Sequence, residues 1–74
     1  MKKSKYDRIL SLYTMLNSGE IINKSEVAIE FGVNERTIQR DIDDIRAFFF
    51  DNTLGIGHGK TIIFKKKKKG YRIV

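Results

Sequence analysis

The chain has 74 residues, enough for one domain and too few for two. It holds no cysteine and one histidine, which excludes disulfide staples, thiolate metal centres and any site built from several histidines. Hydrophobic residues make up 41% of it, so a real core is expected, and the formal net charge of +6 points either to a polyanionic partner or to simple solubility from lysines, a choice that rests on where the charges sit.

Met1-Lys2-Lys3 opens like a secretory signal, but Ser4, Asp7 and Arg8 stand where the apolar stretch would have to follow. No apolar run approaches the roughly 20 residues that span a bilayer. A soluble, cytoplasmic protein with no membrane partner is expected. From Tyr6 onward, Tyr6, Ile9, Leu10, Tyr13 and Leu16 recur every three or four positions, and Leu12 and Met15 widen the stripe. This predicts a first helix over about residues 4–18, with Gly19 suited to its C-terminal cap. Ile21-Ile22 reads as a short apolar connection able to pair with a later hairpin. Asn23, with Glu26 three residues on, resembles a capping box and predicts a second helix over about residues 24–31. Val27, Ala28 and Phe31 should face inward.

Gly32 can take the left-handed conformation that ends a helix in a tight turn. Asn34 can cap the next segment, predicted as a third helix over about residues 35–50, with Ile38, Ile42, Ile45 and Phe49 on one face. The texture then changes. Asp51 to Lys60 is a glycine-rich loop, and Thr61-Ile62-Ile63-Phe64 and Tyr71-Arg72-Ile73-Val74 read as two strands joined by a basic turn, a hairpin over about residues 61–74. Two short helices with a glycine turn make a helix-turn-helix. Its requirements are met together: small Ala28 at the crossing, Gly32 in the turn, Val33 as a plug, and apolar Val27, Phe31 and Ile38 locking the pair. Asp41 stands where that pattern often has an apolar residue, and Ile42 takes over the contact. The expected architecture is mainly α with a small β-hairpin (α+β): a winged helix-turn-helix of three helices and a two- or three-stranded wing.

Helical rotation of about 100° per residue turns Arg36, Arg40 and Asp43 away from the isoleucine stripe, with Gln39 on one flank and Thr37 on the other. Arg can pair bidentately with guanine and Gln with adenine, which is the chemistry of major-groove readout. Thr37 and the first backbone N–H groups suit a phosphate, and Asn34 belongs to the same set at the start of the helix. Asp41, Asp43 and Asp44 either form a plain solvated face or pair with neighbouring arginines. Lys65, Lys66, Lys67, Lys68 and Lys69 crowd the tip of the hairpin, where they can lie along phosphates or enter the minor groove.

Asn34-Glu35-Arg36-Thr37-Ile38-Gln39-Arg40-Asp41-Ile42 resembles the recognition-helix signature of DeoR-type regulators and of regulators carrying a WYL domain. Tyr6-Asp7-Arg8-Ile9-Leu10 is similar to the start of their first helix, and Lys69-Gly70-Tyr71-Arg72 to their returning wing strand. The resemblance implies a bacterial transcription regulator that binds double-stranded DNA, with recognition roles for Arg36, Thr37, Gln39 and Arg40. It also implies a homodimer on DNA, and either a C-terminal effector domain outside this sequence or a free-standing DNA-binding module.

Other features carry less. Gly55-Ile56-Gly57-His58-Gly59-Lys60-Thr61 fails as a phosphate loop, because Leu54 replaces the first glycine and strand-like residues follow. His58 has no partners that would complete a catalytic or metal set. Tyr6, Tyr13 and Tyr71 are expected in the core or at its edge. Phe50 either projects as a docking surface or folds under the glycine loop. No nucleophile–base pair or cofactor motif is visible, so neither an enzyme nor a cofactor is expected. The competing class is a winged helix used as a protein-interaction module.

Overall fold

The computed structural model describes residues 3–51 and 61–73. Three helices come first, α1 (Lys5–Asn17), α2 (Lys24–Phe31) and α3 (Glu35–Asp51), and two strands follow, β1 (Ile62–Lys65) and β2 (Gly70–Ile73). This is the expected winged helix-turn-helix. The glycine-rich segment with His58, and the side chain of Phe50, lie outside the described residues.

Local chemistry sets the helix ends. Ser4 Oγ accepts from the Asp7 N–H at 3.3 Å at the start of α1, and Asn23 Oδ1 accepts from the Glu26 N–H at 3.1 Å at the start of α2. Gly32 ends α2 at φ 72°, and its N–H and that of Val33 return to the carbonyls of Ile29 and Ala28. Asn34 Oδ1 then caps α3 by accepting from the Thr37 N–H at 2.8 Å.

The core joins all these elements. Leu12 and Leu16 come from α1, Val27, Ala28 and Phe31 from α2, Ile38, Ile42, Ile45 and Phe49 from α3, and Ile22 and Ile62 from the sheet. Val33 packs against it as the corner plug. One expectation needs correcting. Tyr6 is 83% exposed and Leu10 65%, so neither belongs to the buried face of α1. That face runs Arg8, Leu12, Leu16, each one turn apart. The physical reason is Arg8: a buried cation turns its own side of the helix inward, and a count of apolar positions cannot see it.

β1 and β2 pair antiparallel in the register Ile62↔Ile73, Ile63↔Arg72, Phe64↔Tyr71 and Lys65↔Gly70. Ile22 adds a third, single-residue strand. Its N–H donates to the Tyr71 carbonyl and its carbonyl accepts from the Tyr71 N–H, both at 2.8 Å. This approach requires glycine at the neighbouring position. A Cβ on Gly70 would sit 2.7 Å from the Ile22 carbonyl oxygen and collide with Ile21 Cγ2. Among the described residues, no helix is long and apolar enough to cross a membrane.

Candidate nucleic-acid interface

α3 divides its surface among three neighbours. Burial of Ile38, Ile42, Ile45 and Phe49 fixes the helix rotation. Arg36 and Arg40 are then left on the outer face, both exposed and with no hydrogen bond or ion pair among the described residues. They have the reach and the donors that a base edge or phosphate would need.

Gln39, at the side of that face, is half-buried and occupied. Its Oε1 accepts from the Lys24 ammonium and from the Tyr71 hydroxyl, each at 2.9 Å, while its Nε2 donates to Asp43 at 3.0 Å. Thr37 is half-buried too, and both its N–H and its hydroxyl donate to Asn34 Oδ1, at 2.8 and 3.0 Å. Of the five expected recognition-helix residues, the structure therefore leaves the two arginines open and uses the other three to build the helix and its seat.

The acidic residues divide in the same way. Asp41 is buried and takes Arg8 Nε at 2.6 Å and Nη2 at 3.4 Å, and the same guanidinium donates through Nη1 to the Lys3 carbonyl at 3.0 Å. This joins α1 to α3. Asp43 accepts from Arg46 at 3.3 Å, and Arg46 also donates to the Ile62 carbonyl at 3.2 Å, reaching the wing. Asp44 pairs with Lys5 at 2.8 Å across an exposed gap. That hydrogen bond, with the carboxylate's charge, raises the Lys5 pKa above its ordinary value. None of the three carboxylates holds Arg36 or Arg40.

At the wing, Lys65 closes β1 opposite Gly70, Lys66, Lys67 and Lys68 form one exposed 3-10 turn, and Lys69 follows at φ 51°. The left-handed Lys69 reverses the chain, and its carbonyl accepts from Asn23 Nδ2 at 3.1 Å. Lys65, Lys66, Lys67 and Lys68 line a basic concavity of about 350 Å³ together with Ile21, Phe64 and Arg72. Four of the five lysines are thus exposed at the tip, while Lys65 is half-buried in the strand.

Sequence reasoning missed the residues that seat the recognition helix: Arg8 beneath it, and Lys24, Arg46 and Tyr71 at its side. Asp41 was the available signal for the first. An acid one turn from Ile38 and from Ile45 must face a cation or stay exposed. The Tyr71 contact spans 32 residues and depends on hairpin register, which sequence spacing does not report.

A protein family described as an HTH domain matches residues 8–72 of the 74. No curated protein and no solved structure matches.

Proposed function

The chain belongs to this helix-turn-helix family, and from that premise we propose that it binds double-stranded DNA sequence-selectively, as the DNA-reading part of a bacterial transcription regulator of the DeoR or WYL kind. One observation carries the reading. The buried isoleucine face of α3 turns Arg36 and Arg40 outward, with no hydrogen bond or ion pair among the described residues. Lys66 to Lys69 add a second basic element that follows phosphates and carries little sequence information. Thr37, Gln39 and Asn34 belong to the proposed site as residues that shape it and can contribute a remaining donor or acceptor. The resemblance to those regulators extends the proposal to a cytoplasmic protein with an effector-binding domain in the same polypeptide.

Titration of a labelled random duplex by fluorescence anisotropy tests the first step. With about six phosphate contacts, affinity should fall on the order of 10³-fold between 50 and 200 mM salt. Selection from random duplexes should then return a defined half-site. No binding at 50 mM salt, or binding indifferent to salt, would overturn the reading.

A second reading rests on a separate observation. An apolar groove of about 460 Å³ runs between α1 and α3, lined by Ile9, Leu10, Tyr13, Ile45 and Phe48, with Lys5 and Asp44 on its rim. Leu10 is 65% exposed and Phe48 50%. The occupant proposed is a second copy of the chain, because Lys5 and Asp44, which pair with each other on this rim, can exchange partners with the same two residues of a copy about a two-fold axis. The groove lies on the α1 side of α3, so pairing there leaves Arg36 and Arg40 open, and a dimer would read two half-sites. Sedimentation equilibrium should show a dimer that Leu10→Glu abolishes. A monomer at millimolar concentration would refute it.

A further inference from the structure

The amide of Gln39 sits where α2, α3 and the wing meet. Its orientation follows from its partners' chemistry. The Lys24 ammonium can only donate, so it must face the oxygen, and the ionised Asp43 carboxylate can only accept, so it must face the nitrogen. The carbonyl oxygen has two lone pairs, and Lys24 and the Tyr71 hydroxyl use both. The NH₂ group has two donors, and Asp43 uses one. One N–H remains.

A bidentate contact to adenine needs a free donor and a free acceptor from the same amide. Gln39 has only the donor. We infer that Tyr71 and Lys24 are positioning residues that turn Gln39 from an adenine reader into a single-donor reader, and so set the specificity of one position in the site. In the major groove, guanine, adenine and thymine each present an acceptor, whereas cytosine presents only its amino donor. The base facing Gln39 is therefore degenerate among A, G and T, and C is disfavoured. The inference rests on the DNA-binding reading above and refines it.

The clamp is held from several sides. The Lys24 ammonium and the Arg46 guanidinium lie 5.8 and 6.0 Å from the Tyr71 ring centre. Phe64 packs edge-on against the same ring at 5.2 Å. Two 2.8 Å backbone hydrogen bonds to Ile22 fix the Tyr71 main chain. Gln39 Oε1 is thus satisfied by groups that are themselves anchored, and DNA would have to displace them to reach it.

The test is selection of bound sites from random duplex DNA by the whole chain, by Gln39→Ala, by Tyr71→Phe and by Tyr71→Phe/Lys24→Met. Gln39→Ala identifies the position, as the one whose preference becomes flat. There the unaltered chain should accept A, G and T within a few-fold and reject C. The double variant should gain an adenine preference on the order of tenfold or more at that position alone. Tyr71→Phe removes one hydroxyl only. It should move in the same direction by less, and it carries the test if the double variant does not fold. A purely structural role would weaken all sequences alike. Unchanged preference in variants that still bind, or an adenine preference already present in the unaltered chain, overturns this inference alone. Failure of every protein to select any duplex overturns the DNA reading and this inference with it.

Discussion

Asp41→Ala should be the most damaging single substitution among the polar residues. Its carboxylate side chain is 2% exposed and that of Arg8 11%, and the two meet through two hydrogen bonds. Exposed pairs contribute about 0–1 kcal/mol, but removing one member of a buried pair strands the other charge and costs roughly 3–5 kcal/mol. At about 0.05–0.15 kcal/mol per residue, a domain of this length has about 4–11 kcal/mol in total. The loss therefore approaches the whole stability at the low end of that range. At about 4–8 °C per kcal/mol, the thermal midpoint should fall by roughly 12–40 °C. Arg8→Met/Asp41→Leu removes both charges and fills the space with apolar atoms. It should unfold within about 1 kcal/mol of the unaltered chain, or above it. Urea unfolding followed by circular dichroism reads both variants. If Asp41→Ala costs less than about 1 kcal/mol, or the double variant is as unstable as the single, the pair does not hold α1 to α3 as argued.

Four further outcomes are expected. Arg36→Ala or Arg40→Ala should lose about 1–3 kcal/mol of binding to a selected site and relax the preference at one position, by anisotropy against matched and mismatched duplexes. Lys67→Ala should weaken all duplexes alike and lower the slope of log affinity against log salt by about 0.9. Gly70→Ala should destabilise the fold by roughly 1–3 kcal/mol, because its new methyl meets the Ile22 backbone as well as Ile21 Cγ2, and the backbone cannot yield as a side chain can. Asn34→Ala should cost about 0.5–2 kcal/mol in a thermal melt through the lost cap on Thr37.

What could be read without coordinates was what neighbours in sequence determine. Asn23, Gly32 and Asn34 each act within four residues, and α2 begins and ends where they predict. The stripe of α3 was equally plain, since four large apolar residues leave one rotation that buries them all. The pairing of Ile22 with the wing followed from an apolar dipeptide stranded between helices. The face of α1 was misread because Tyr6 and Leu10 have the right spacing and the wrong side, and the side was decided by an ion pair 33 residues apart. Spacing ranks positions on a helix, but burial is settled by what lies opposite.

The same distinction limits the reading of the site. Rotation alone places Arg36, Gln39 and Arg40 together near the outer face, and as residue types they look alike as base readers. They differ because α3 has a neighbour on each shoulder. Toward α1 it is held by Asp41 and Asp44, and toward the wing by Gln39, Asp43 and Arg46. Polar side chains on those shoulders serve to seat the helix, and the strip between them stays open among the described residues. On the proposed function, readout concentrates in the first two turns, at Arg36 and Arg40, where the cap at Asn34 fixes the helix start. Widening the open strip requires releasing a shoulder. On the α1 side that means exposing a buried charge. On the wing side it means giving up a tyrosine hydroxyl and a lysine contact, a far smaller cost, so the wing side is where altered specificity can arise without loss of the fold.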